Sequence, residues 1–191
     1  MDEVTLERRT KETDISLTLS PKGPAEISTG IGFFDHMLTA FSVHSRFGLK
    51  LRVAGDLQVD GHHTVEDTGI VLGKAFAQAL GNKENIMRYG SCYIPMDEAL
   101  AFASVDVSGR PYLVLQGHFP PVMIGAYDSA LTEEFFRAFA FNAGITLHLQ
   151  ILYGGNAHHM TEALFKAAAH ALRKALYPAS GVLSTKGAID V

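Results

Sequence analysis

The segment GHHTVED, residues 61–67, places adjacent histidines His62 and His63 four and three positions before Glu66. A second segment, AHHMTEA at 157–163, repeats the pattern with His158, His159 and Glu162. On a helix, residues three and four apart share a face, so each glutamate can share a site with either of its histidines. Neighbouring histidines stand about 100° apart around the axis, and one metal ion cannot easily take both. If the two helices meet, two sites can form side by side, each drawing one histidine from either copy. Imidazole and carboxylate suit Mn, Fe, Zn or Ni better than Ca or Mg. A single such motif is more simply a polar helix start, its acid favoured by the dipole; two copies in register outweigh that reading. His36 in GFFDHML is a further candidate ligand, beside an acid at the mouth of an apolar helix, with a capping or core role as the alternative. His44, His118 and His170 read as structural or exposed, and His148 in LHL points outward by strand alternation.

A second theme is anion binding. Arg88, Arg110 in SGRPY, Lys166 in LFK, and Ser184 and Lys186 in LSTKG lie near turns or helix starts, where charge-assisted hydrogen bonds can hold a phosphate. There is neither a GxxxxGK[ST] loop nor a GxGxxG turn. With a net charge of −4 over 191 residues the chain has no general attraction for nucleic acid or an anionic membrane. The expected partners are a small phosphorylated molecule and further copies of the chain. Cys92 is the one cysteine, which excludes an intrachain disulfide and fits a reducing compartment. The charged start MDEVTLERRTKETDI lacks the apolar core of a secretory signal, so a cytoplasmic location is expected.

These residues need elements to hold them. Residues 3–29 alternate apolar and polar around Pro21-Lys22-Gly23-Pro24, predicting short antiparallel strands. Helical spacing predicts a helix over 33–46, LKLRV a strand, and 62–80 a second helix stopped by Gly81-Asn82. SCYIP, LAFASVDV and PYLVLQGHF then read as strands, 129–141 as a helix, ITLHLQILY as a strand, and 158–176 as a helix ended by Pro178. A shift of 96 positions lays residues 48–67 over 144–163 without a gap, matching both His-His pairs and both glutamates. An internal duplication explains this most simply. The expected fold is α/β (α+β), one compact unit with halves at 1–86 and 87–191, each a four-stranded sheet with two helices on one face.

Taken in order, ERRTKETDI, GIGFFDHMLTAFSVHSRF, DGHHTVEDTGI, YIPMDEALA, DVSGRPY, GNAHHMTEALFKA and STKG closely resemble the imidazoleglycerol-phosphate dehydratase family of histidine biosynthesis, from about residue 3 to 188. The resemblance implies a hydro-lyase that converts D-erythro-imidazole-glycerol phosphate to imidazole-acetol phosphate. It also implies two Mn2+ ions per active site, with other divalent transition metals possible, and a homo-oligomeric shell of about 24 subunits with sites between them. The implied metal ligands are His36, His62, His63, Glu66, His158, His159 and Glu162. Many relatives carry a histidine ligand just before an FF pair where TEEFF here presents Glu134, which either coordinates in its place or leaves that ligand missing. Implied substrate contacts are Glu12, Arg88, Arg110, Lys166, Ser184 and Lys186. If both ring nitrogens bound metal, the substrate ring would be held as an imidazolate whose electrons could expel the hydroxyl. Glu12 is the first choice for moving the side-chain proton, with Glu66 or Glu162 able to serve only if metal does not occupy them fully. Two other classes remain to be weighed: a carboxylate-histidine metal-storage or redox protein, which would favour a four-helix bundle, and a non-enzymatic binding module, which net acidity disfavours.

Overall fold

The computed structural model of the chain describes residues 1–118, 120–184 and 189. The first half runs β1 (Val4–Arg9), β2 (Thr13–Ser20), β3 (Ala25–Ser28), α1 (Gly32–Ser45), β4 (Gly48–Gly55) and α2 (His62–Leu80). The second runs β5 (Tyr89–Met96), β6 (Ala99–Asp106), β7 (Tyr112–Gln116), β8 (Met123–Ile124), β9 (Tyr127–Asp128), α3 (Leu131–Ala143), β10 (Thr146–Tyr153) and α4 (Ala157–Ala175).

Both halves weave the same four-stranded sheet, in the orders β1-β2-β4-β3 and β5-β6-β10-β7. Leu51 of β4 lies between Leu17 and Ile27, and Leu147, its counterpart 96 residues on, lies between Val105 and Leu113. The alternation over residues 3–29 suggests antiparallel strands throughout, but β3 pairs with β4 in parallel, as β7 does with β10. The cause is the intervening helix: α1 carries the chain from β3 back to the same end of the sheet, which only a parallel neighbour permits. The small hairpin β8-β9 has no counterpart in the first half, and two-residue strands leave no period to read.

Alternation puts Ile15, Leu17, Leu19, Leu49, Leu51 and Val53 of the first sheet under its helices. The second sheet uses Ala99, Ala101, Ala103 and Val105 on β6 instead. These small residues let α4 lie close, and a Cβ at Gly90 of β5 would run into the Ala171 carbonyl. Each helix covers its own sheet and also packs across the duplication, α1 on α4 and α2 on α3. A single apolar core therefore passes through both halves. The α2–α3 crossing is close at Gly69 and Gly73, where an added Cβ would sit 2.7 Å from the Phe135 carbonyl oxygen and 2.6 Å from that of Phe139. These cross-half pairings bring the His-His helices into contact with α1 and α3.

Candidate active site

The start of α2 is fixed from three directions. The Asp60 carboxylate accepts the His62 N–H at 2.7 Å, and Asn156, at the same position of the repeat, accepts the His158 N–H at 2.9 Å. Asp67 is buried, takes Arg8 of β1 at 2.8 Å and accepts from Thr13 of β2. On α1, Asp35 turns back to take the Thr29 backbone N–H at 2.8 Å and hydroxyl at 2.6 Å, which leaves its neighbour His36 facing α4.

There the cross-half packing assembles a donor set. His36 Nε2 of α1 is 3.3 Å, and His158 Nε2 of α4 is 3.2 Å, from the same oxygen, Glu162 Oε2. These three donor atoms lie within 4.8 Å of one another, and among the described residues no other three-residue group of His, Cys, Asp or Glu does so. The other Glu162 oxygen takes Lys166 Nζ at 2.6 Å. Burial pushes the Glu162 carboxyl up, but the Lys166 ammonium and His36 outweigh it and hold the group below the usual range. Phe33 packs edge-on against the His158 ring, with centroids 4.9 Å apart.

In the first half the corresponding pair is looser, with His62 Nε2 3.6 Å from Glu66 Oε2. The buried positions of α1 and α3 superimpose at a spacing of 98: Phe34 on Thr132, Met37 on Phe135, Leu38 on Phe136, Phe41 on Phe139 and Ser45 on Ala143. Glu134 is thus the positional counterpart of His36, and the two FF pairs are not counterparts of each other. Both Glu134 oxygens lie 3.1 Å from Arg137, which Glu133 also engages.

The second histidine of each motif turns away from its own glutamate. His63 Nδ1 lies 3.1 and 3.2 Å from the Asp56 oxygens, and its Nε2 lies 3.8 Å from Glu12. His159 Nδ1 lies 2.7 Å from Glu98 Oε2, and its Nε2 3.6 Å from Asp97. The hydrogen bond to Asp56, with Glu12 adding, pushes His63 up. Glu98 does the same to His159, and is itself pulled down to about 2 by that ring and by the Asn156 N–H. Aspartates 56 and 67 have no role in the sequence reading, although Asp67 sits inside the motif on its inward face.

The basic residues divide. Lys166 belongs to the Glu162 cluster and also reaches Met96 Sδ at 3.7 Å. Arg88 is nearly buried, holds Asp106 at 2.7 Å and donates to the Leu183 carbonyl at 2.6 Å, one residue before Ser184. Arg110 shares Asp106 at 3.3 Å. Lys186 lies outside the described residues. Asp106 and Ala99 are at opposite ends of β6, so the Arg88–Arg110 pair stands about 23 Å along the sheet from the Glu98 turn. His44 and His170 join α1 and α4 two turns beyond His36 and Glu162, with Nδ1 and Nε2 3.0 Å apart, and His148 is exposed.

A duplicated α/β unit with histidines and carboxylates gathered at its internal seam, and guanidinium groups apart from them, defines the class as a two-fold repeat with its clustered polar groups where the halves meet. The family model for imidazoleglycerol-phosphate dehydratase matches residues 29–172. The chain is 54% identical over 188 residues to the imidazoleglycerol-phosphate dehydratase of Alkaliphilus metalliredigens, covering 96% of each chain. It is 56% identical over 187 residues to that of Symbiobacterium thermophilum, covering 95% of this chain and 90% of the relative. The crystal structure of the Staphylococcus aureus N315 enzyme superimposes with a TM-score of 0.85 at 41% identity, covering 92% of this chain and 99% of that one. The Pyrococcus furiosus enzyme, in complex with (S)-C348, gives 0.85 at 38% identity, covering 96% and 99%. The chain belongs to the imidazoleglycerol-phosphate dehydratase family, hydro-lyases of histidine biosynthesis.

Proposed function

We propose that the chain removes water from D-erythro-imidazole-glycerol phosphate to give imidazole-acetol phosphate, at sites that hold divalent transition metal, Mn2+ foremost, and are completed between subunits of a large cytoplasmic homo-oligomer. The convergence of His36, His158 and Glu162 from opposite halves carries this reading. Two imidazole nitrogens and one carboxylate oxygen within 4.8 Å suit such an ion, with Lys166 occupying the other Glu162 oxygen. His62, His63, Glu66, His159 and Glu134 are the remaining candidates for the ligand shells. Metal bound there would supply Lewis-acid withdrawal of electrons from the substrate's imidazole ring.

The chain's own groups account for the rest. Glu12 stands on the exposed β1-β2 turn beside His63, placed to move the side-chain proton of a substrate lying over that ring. Glu162, tied to Lys166 and two histidines, is poorly placed to act as a base, and Glu66 is less encumbered. Arg88, Arg110 and Ser184 offer a phosphate cradle about 23 Å along the sheet from the Glu98 turn. A small substrate does not span that distance, which supports a site shared between subunits, one contributing the cradle and another the histidines. His44, His118 and His170 have no assigned part.

Elemental analysis combined with particle sizing, before and after chelation, tests this reading. We expect about two transition-metal ions per chain and a large particle that dissociates when stripped. A metal-free particle with full dehydratase activity would refute it.

A further inference from the structure

The two halves share one arrangement that descent from a common repeat does not explain. In each, the Nδ1 of the second motif histidine is held by a carboxylate, but the carboxylates come from different places. Asp56 follows β4, and its counterpart 96 residues on is Leu152. Glu98 sits in the β5-β6 turn, whose counterpart by strand register is the β1-β2 turn that carries Glu12, and Glu12 meets His63 at Nε2 rather than Nδ1. Two unrelated positions have arrived at the same ring nitrogen.

From this we infer that Asp56 and Glu98 are positioning residues, which lock His63 and His159 in the Nδ1-protonated tautomer and so turn each Nε2 lone pair outward as a ligand atom. An ionised carboxylate only accepts, so the nitrogen facing it must carry the proton, and in a neutral ring the other nitrogen is then bare. Such a partner fixes both ring orientation and basicity for metal ligation. Glu98 is itself immobilised: its Oε1 accepts the Asn156 N–H at 2.8 Å and the Gly155 N–H at 3.2 Å, in the loop that opens α4. One side chain therefore sets both the start of the helix and the tilt of its histidine. Asp56 is tied in turn by its backbone N–H, which donates to the Glu12 carbonyl at 3.0 Å. The more exposed Glu12 and Asp97 then lie on the Nε2 sides, at 3.8 and 3.6 Å.

The inference rests on the metal reading above, but its first test does not need metal. Protein labelled with 15N-histidine is stripped, held at alkaline pH where the rings are neutral, and examined by solid-state NMR, with His63→Asn and His159→Asn assigning the signals. Both rings should show a protonated Nδ1 and a bare Nε2. In Glu98→Gln the amide oxygen is claimed by the Gly155 and Asn156 N–H groups, so the amide NH2 faces Nδ1 and the His159 tautomer should invert. Mn2+ affinity, measured by chelator competition, should fall about 10- to 100-fold in Glu98→Gln and in Asp56→Ala. Asp56→Asn, which keeps an acceptor, should recover most of the loss, while a purely structural carboxylate would show no such split at an unchanged melting temperature. Rings protonated at Nε2 in the parent, or unchanged Mn2+ affinity in Glu98→Gln, would overturn the positioning roles. Parent protein with Nδ1-protonated rings and no Mn2+ uptake would sink the metal reading and leave the ring orientation standing.

Discussion

Replacing Gly73 with alanine opposes two effects whose sizes the structure decides. On a solvent-facing helix this change gains about 1 kcal/mol, because alanine loses less backbone freedom on folding. On α2 the new Cβ would stand 2.6 Å from the Phe139 carbonyl oxygen, 2.7 Å from Asn142 Cβ and 2.9 Å from the Ala143 nitrogen of α3. Ordinary contact needs about 3.5–4.0 Å, so the helices must part by about 1 Å. Overpacking costs about 1–3 kcal/mol, and two of the three obstructing atoms are backbone, unable to rotate away, which places this site near the top of that range. The net loss is about 2 kcal/mol, a fall in melting temperature of about 4–8 °C for a chain of this size. Thermal unfolding followed by circular dichroism at fixed protein concentration reads it. Gly32→Ala is the control, because nothing lies within 4 Å of a Cβ there, and its midpoint should hold or rise slightly. A Gly73→Ala midpoint at or above that of the parent would show that the α2–α3 crossing is not the constraint described.

Glu12→Gln should abolish turnover while metal content by elemental analysis stays at the parent level; near-normal turnover would remove Glu12 from the proton transfer. Arg46 ends α1 at φ 66°, where the second half has Gly144 at φ 64°, so Arg46→Gly should stabilise by about 1 kcal/mol in thermal unfolding. Burial, with His170 and then Lys166 adding, holds His44 below 6.5; burial, with Arg173 and Lys174 adding, does the same for His170. The unfolded chain binds protons on these rings more readily, so their stabilisation is complete above pH 6.5 and is lost as pH falls below it. Melting of metal-free protein across pH 5–7 should show this slope, and His170→Gln should flatten it.

Much of this was legible in the residues. The 96-residue offset located α2 and α4 to within a residue at each end, because paired histidines and a repeated glutamate survive as a pattern even where the surrounding apolar residues differ. Alternation marked β2, β4, β6 and β10, whose buried faces are regular. The direction of β3 was not readable, since a four-residue strand carries no sign of which neighbour it will join. Matching the FF pairs misaligns α1 and α3, because what aligns them is the buried stripe, in which Phe41 and Phe139 coincide but Phe34 meets Thr132 and Met37 meets Phe135. Nor does a basic residue announce its partner. Lys166 meets Glu162 through simple i, i+4 spacing, but Arg88 meets Asp106 only because β5 and β6 pair in one register.

The crossed packing of α1 on α4 and α2 on α3 has a consequence for the symmetry between the halves. Each half leaves the outer face of its helices to be covered by the other, as two identical molecules of half the length would do in a symmetric pair. Joined in one chain, the two copies need not remain identical. One seam carries a histidine, His36, against Glu162, while at the matching place the other carries Glu134, neutralised by Arg137.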